Sequence, residues 1–381
     1  MLGLVSLATD VASELVHSLL PVFLVTTLGT SVAAVGWIEG AAEATALIVK
    51  VFSGTLSDYF GKRKPFAVLG YALGAATKPL FAVAHGVGLV LTARLIDRVG
   101  KGIRGAPRDA LIADLTTPEI RGAAYGLRQA LDTVGAVLGP LLAMGLMFAF
   151  ANDFRAVFWF AVLPGALSVL LLVFGVREPE GKPSKAKRAS PLSRASLARL
   201  PSEYWRVVGI GGLFTLARFS EAFLLLRAQE GGLGPALVPL VLVGMNVVYA
   251  LSAYPFGKLS DKVDRRRLLA FGLVPLVLAD VVLANGSSWP WIACGAGFWG
   301  LHMGMTQGLL ATLVSGTAPA ELRGTAFGFF NLLSGLALLL ASALAGMLWD
   351  SYGAEFTFWT GAGLATLAIL ASSLTGRASR A

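Results

Sequence analysis

The sequence predicts an all-α integral membrane protein of twelve membrane-crossing helices in two bundles of six, and three observations carry that expectation. The 381 residues are 56% hydrophobic and only 14% charged, where ordinary soluble domains carry roughly 25% charged residues. The apolar residues gather into runs long enough to cross a ~30 Å hydrocarbon core, which takes about 20 residues at 1.5 Å each. The two halves of the chain also repeat one another. Gly54, Leu56, Ser57 and Asp58 recur 203 residues later as Gly257, Leu259, Ser260 and Asp261, and Arg121, Gly122 and Gly126 recur 202 residues later as Arg323, Gly324 and Gly328. Pro118 returns as Pro319, one residue early. Such a repeat fits two bundles related by an axis along the membrane normal.

The apolar runs lie at 4–28, 33–54, 66–87, 89–113, 123–149, 155–176, 207–229, 235–256, 268–286, 290–315, 325–348 and 355–374. The first lacks a basic leader and contains Asp10 and Glu14, which the apolar region of a cleavable signal would not hold, so it is expected to be the first span. The resulting organisation is an N-terminal bundle over 1–176, a linker over 177–206 and a C-terminal bundle over 207–381. The linker mixes Lys182, Lys185, Lys187, Arg188, Arg194 and Arg199 with Pro and Ser.

Loop charge sets the expected orientation. Lys62, Arg63 and Lys64 follow span 2, and Lys258, Lys262, Arg265, Arg266 and Arg267 follow span 8, whereas the opposite loops near Gly29, Gly86 and Gly286 hold almost no Lys or Arg. Basic loops stay cytoplasmic, so both termini are expected inside a bacterial inner membrane. The same distribution accounts for the net charge of +9 without nucleic acid. A single cysteine, Cys294, rules out an internal disulfide and any multi-cysteine metal site. Nucleophile, metal-hydrolase and nucleotide motifs are missing too: Gly100-Lys101-Gly102 has neither the preceding strand nor the spacing of a phosphate loop, so an enzyme is not expected.

The stretch from Gly54 through Asp58 and Gly61 to Lys62, Arg63 and Lys64 resembles the cytoplasmic loop motif between spans 2 and 3 of the major facilitator superfamily, with a degenerate second copy from Gly257 to Arg267. The resemblance implies that Gly54, Asp58, Gly61, Arg63 and Asp261 belong to a latch that gates access. In span 5, Gly126, Gly135, Gly139 and Pro140 have the spacing of that family's antiporter motif, but Ala143 and Met144 stand where a Gly pair is common. This implies a secondary transporter working by proton antiport, with Gly135, Gly139 and Pro140 letting helices approach and rock. It also implies that spans 1, 4, 7 and 10 line the central cavity. Membrane lipid, protons and a small solute are the expected partners of a monomer, and the proton gradient replaces any cofactor.

Ionisable residues at bilayer depth cost ~2.5–3.5 kcal/mol on insertion scales and are functional candidates by default. Asp10, Glu14 and His17 follow i, i+4, i+7 spacing on span 1, which puts all three on one helix face. Burial and mutual repulsion disfavour two ionised carboxylates there, so one of Asp10 and Glu14 can carry a proton. Span 2 adds Glu39 and Glu43, the latter on a face with Lys50. Span 4 holds Arg94, Asp97, Arg98, Lys101, Arg104, Arg108 and Asp109, too many charges to face lipid. Arg98 with Gly102 resembles, imperfectly, the family's span 4 motif, whose basic residue joins proton coupling. Arg94, Arg98 and Lys101 could balance the span 1 carboxylates, with Arg104 and Arg108 expected at the cytoplasmic mouth. Arg218 and Glu221 in span 7 are either a pair or substrate ligands, and Arg128 and Asp132 read as an i, i+4 pair.

These residues leave several solutes open. Asp10, Glu14, His17, Glu43, Arg94, Arg218, Glu221 and His302 are the substrate-binding candidates, with Asp10, Glu14 and Arg98 for proton coupling. Asp10, Glu14, His17 and His302, with Met303 and Met305 nearby, offer an alternative as ligands for an exported transition metal or its chelate. The span 4 and span 7 arginines would suit an organic anion, and carboxylates with Trp37, Phe214 and Phe219 a lipophilic cation.

Overall fold

The computed structural model describes residues 1–60, 62–117, 119–177, 197–260, 262–319 and 322–377, without the side chains of 55, 58, 59 and 373–377. Among them there is no β-strand. The expectations for Gly61, Asp261, the side chain of Asp58 and most of the 177–206 linker fall outside the described residues. Among the described residues, eight helical segments are long and apolar enough to cross a membrane.

In the first half the helices are α1 (Leu2–His17), α2 (Leu20–Thr26), α3 (Val32–Phe60), α4 (Lys64–Ala82), α5 (Val87–Leu115), α6 (Arg121–Ala149), α7 (Phe154–Phe160) and α8 (Val162–Gly175). The second half follows with α9 (Ser202–Ala217), α10 (Ala222–Glu230), α11 (Leu240–Ser260), α12 (Arg265–Asn285), α13 (Trp289–Thr306), α14 (Leu309–Thr317), α15 (Arg323–Tyr352) and α16 (Ala354–Arg377). Each apolar run falls on one helix or on two consecutive helices. The repeat extends to the elements: α6 and α15 begin at Arg121 and Arg323, and α5 and the α13–α14 pair span Val87–Leu115 and Trp289–Thr317, all shifted by 202 residues.

Interruptions within spans have local causes. Pro21 and Pro164 have no N–H to give to the carbonyls of residues 17 and 160, so helical bonding lapses between α1 and α2 and between α7 and α8. Gly308 takes a left-handed φ of 70° between α13 and α14, a conformation glycine adopts without steric cost. Between α9 and α10 the backbone of Arg218 is extended, and the Ser220 hydroxyl accepts the Ala222 N–H at 3.2 Å, which starts the helix again.

The chain divides into two compact units, one of residues 1–30, 41–189 and 235–240, the other of 31–40, 190–234 and 241–381. The first nine residues of α3, Val32 to Gly40, therefore pack within the second unit. Gly36 and Gly40 allow it: a β-carbon on Gly36 would stand 2.2 Å from the Ser342 carbonyl oxygen, and one on Gly40 3.0 Å from Leu339 Cα. Asp350, near the end of α15, accepts the first free N–H groups of α3, Val32 at 3.1 Å and Ala33 at 2.8 Å, placing a carboxylate at the positive end of the helix dipole.

Candidate functional site

In the first unit the ionisable residues converge from five helices. On α1, His17 Nδ1 stands 3.5 Å from Glu14 Oε2. The two span 5 glycines lie opposite the two span 1 carboxylates: a β-carbon on Gly135 would meet Asp10 Cβ at 2.8 Å, and one on Gly139 would meet Glu14 Cβ at 2.7 Å. No side chain fits between α1 and α6 at these two levels, and Pro140 is buried beside them. Spacing of four on each helix thus becomes a ladder of two rungs, each a carboxylate-bearing residue against a glycine.

Helix α5 supplies a cationic column whose members are held in place. Lys78 Nζ, from α4, donates to Asp97 Oδ1 at 3.0 Å and to Ser13 Oγ of α1 at 3.3 Å. Arg98 reaches Glu43 of α3 at 3.1 Å and Asp97 at 3.6 Å. Lys78, Arg94, Asp97 and Arg98 are all buried. In such a setting each charge is tolerated because an opposite charge and hydrogen bonds replace water. Gly70 and Gly100 bring the two backbones together, since a β-carbon on either would lie 2.6 Å from the other's carbonyl oxygen.

Arg104, expected at the mouth, is instead enclosed, its guanidinium carbon 4.8 Å from the centre of the Tyr71 ring. Arg108 does sit nearer the surface, donating to Asp109 Oδ1 at 3.1 Å and to Ser6 Oγ at 3.4 Å. Arg128 and Asp132 form the expected i, i+4 pair on α6. Arg63, in the loop motif, pairs with Asp114 near the end of α5 at 2.6 Å, a partner sequence spacing does not reveal.

In the second unit, Arg218 and Glu221 flank the break between α9 and α10, where helical geometry no longer dictates an i, i+3 contact. His302 is fully buried, with Nδ1 donating to the Gly272 carbonyl at 2.7 Å and its ring 5.4 Å from that of Phe214. That bond holds the ring against α12. Glu39 is buried in the part of α3 that belongs to this unit. Among the described residues no group of three or more His, Cys, Asp or Glu side chains is placed to hold a metal ion.

Lys78 and Asp280 are buried ionisable residues that escape a reading based on charge clusters, as does Arg227 of α10. Lys78 and Asp280 are each the lone charge in the middle of an apolar run, and that isolation was the available signal.

A sequence profile of the Major Facilitator Superfamily matches residues 2–226 and again 208–380, so that the two matches together cover nearly the whole chain. The chain belongs to the Major Facilitator Superfamily. An uncharacterised transporter of this superfamily from Methanocaldococcus jannaschii is 33% identical over 374 residues, covering 96% of this chain and 92% of that protein. The quinolone resistance protein NorA of Staphylococcus aureus is 24% identical over 345 residues, covering 88% of this chain and 86% of that one. The nucleoside transporter NupG shares the fold with a TM-score of 0.82 at 13% identity, each chain covered to 98%. As a member of the superfamily the protein is a multi-pass membrane transporter and not an enzyme.

Proposed function

We propose that this superfamily member exports a small solute from the cytoplasm in exchange for protons, through twelve spans and with both termini inside. The observation that carries the reading is the ladder of Gly135 against Asp10 and Gly139 against Glu14. Span 5 carries the glycines of the antiporter-like motif, and they pack against the β-carbons of Asp10 and Glu14, one of which can carry a proton. A change in the charge of Asp10 or Glu14 alters what the α1–α6 contact must accommodate, so protonation and helix movement are tied at one contact. Proton binding from outside releases the solute, and differential affinity in the two states supplies the coupling. Arg98, already engaged by Glu43 and Asp97, sets the field around these groups. The similarity to a quinolone resistance protein favours export of an organic solute over a metal ion.

The test is internal pH in proteoliposomes under an imposed proton gradient, with lipophilic cations, organic anions and divalent metals added in turn. A solute-dependent proton flux that disappears in Asp10→Asn or Glu14→Gln supports exchange and identifies the solute class. Solute movement that carries no protons overturns it.

A further inference from the structure

Asp280 on α12 is completely buried, and neither carboxyl oxygen has a hydrogen-bond partner among the described residues. Its surroundings are aromatic. A β-carbon on Gly361 of α16 would stand 2.5 Å from Asp280 Oδ2 and 2.9 Å from Phe219 Cε1, so acid and ring share one small space. The Phe219 ring in turn lies 5.4 Å from Trp299 of α13 and 5.7 Å from Phe358 of α16. Trp299 is likewise fully buried, with its indole N–H unpartnered.

The repeat sharpens the anomaly. Asp280 and Trp299 stand 202 residues after Lys78 and Asp97, and the helix pairs share a packing register: Gly70 faces Arg104 in the first half, and Gly272 faces Thr306 in the second. Where the first half holds a salt bridge, the second holds an acid and an indole, neither of them hydrogen-bonded among the described residues.

The packed elements carry other charged or titratable groups. On α13 there is His302, bound to the Gly272 carbonyl, and at the α9–α10 break there are Arg218 and Glu221. On α10, Arg227 donates to the Leu283 carbonyl of α12 at 3.0 Å and to Glu230 at 2.8 Å. Glu355 lies in the first turn of α16, and Arg265, Arg266 and Arg267 lie at the far start of α12. None of them bonds to Asp280. An ionised carboxylate with no counter-charge and no donor is far more costly to bury than the neutral acid.

We propose that Asp280 is a second proton-binding site, occupied in this conformation and emptied when the interrupted seventh span moves Phe219 away and admits water. The acid is completely buried, and a proton is the ligand that needs the least space there. Phe219 sits within the break itself, between the extended Arg218 and the start of α10, where a small backbone rotation displaces its ring. Binding of the proton stands apart from the export reading above; its turnover during transport rests on that reading.

Two measurements on the full chain in lipid decide it. Infrared difference spectroscopy near pH 7–8, above the ordinary titration of a carboxyl group, is expected to show a protonated-acid carbonyl band that vanishes in Asp280→Asn and persists in Asp10→Asn. A wild-type spectrum without that band, or a spectrum that Asp280→Asn leaves unchanged, overturns the proposal. Should Asp280→Asn not fold, Asp280→Glu must shift the band. For turnover, Asp280→Asn is expected to lose proton-driven accumulation of solute in vesicles while keeping solute–solute exchange, which needs no net proton movement. Unchanged accumulation in that variant overturns turnover. Absence of any solute-linked proton flux in the wild type would instead defeat the export reading, and the infrared result would still decide whether Asp280 holds a proton.

Discussion

Lys78 and Asp97 in the first half and Asp280 and Trp299 in the second occupy repeat-related positions on helix pairs of like packing, yet their electrostatics differ completely. In α4 and α5 a lysine and an aspartate neutralise each other at 3.0 Å, with Arg98 adding a second cation at 3.6 Å from the same carboxylate. In α12 and α13 the acid has no hydrogen-bond or ion-pair partner among the described residues, and Phe219, packed on Trp299 and Phe358, lies near it. The repeat conserves small residues where backbones meet, at Gly70 and Gly272, while leaving the buried polar chemistry free to diverge. A paired charge resists titration because losing it strands its partner. An isolated acid has no such restraint and changes charge whenever water reaches it.

The largest expected effect breaks the paired side. Lys78→Met leaves Asp97 buried without its hydrogen-bonded lysine, with Arg98 at 3.6 Å and Arg94 and Arg104 nearby, and should destabilise the protein by about 3–5 kcal/mol, read from thermal unfolding in a mild detergent. A loss below about 1 kcal/mol would mean that the neighbouring arginines suffice for Asp97. Adding Asp97→Leu to that variant should recover part of the loss, because the buried carboxylate is gone but Arg98 then keeps only Glu43 of its two carboxylates; a double-mutant cycle measures the coupling.

Next in size are two glycines beside the contrasted residues. Gly361→Ala drives a methyl group to 2.5 Å from Asp280 Oδ2 and should cost about 1–3 kcal/mol. At Gly165 the same change brings the methyl to 3.6 Å from Lys78 Cγ, an ordinary contact. That variant should be neutral or gain up to about 1 kcal/mol from helix propensity. Equal costs at both sites would mean that the second half is no more tightly closed than the first.

The smallest effect is the most informative. Asp280→Asn replaces a neutral acid by a neutral amide of nearly the same shape and should change unfolding stability by less than about 1 kcal/mol. A loss as large as that of Lys78→Met would indicate an ionised, paired carboxylate, and the two halves would then be electrostatically alike.

Much of this was legible without coordinates. The apolar runs fall on the helices because hydrocarbon forces each span to satisfy its own backbone hydrogen bonds. The Arg128–Asp132 pair was legible because helical spacing alone brings such side chains together. Pairs across helices were not. Arg94, Arg98 and Lys101 were expected as a group that could balance Asp10 and Glu14, and the further bonds of Arg98 to Glu43 and Asp97 depend on the rotation of α3 and α5 about their axes. For the same reason Arg104 turns inward onto Tyr71, and Arg63 finds Asp114 across fifty residues of chain.

By itself, the sequence determined that this is a helical membrane protein built by repetition, with titratable groups on its first span and glycines on its fifth. Those properties follow from length, hydropathy and local spacing, which hydrocarbon solvent enforces whatever the neighbouring helices do. Only the tertiary structure decided that Gly135 and Gly139 face Asp10 and Glu14, that Lys78 is bound to Asp97, and that Asp280 is left alone among aromatic rings. Contact between helices depends on how each is turned and how closely backbones approach. Those quantities are set by the packing of all the helices of a bundle at once, and no single segment of the sequence contains them.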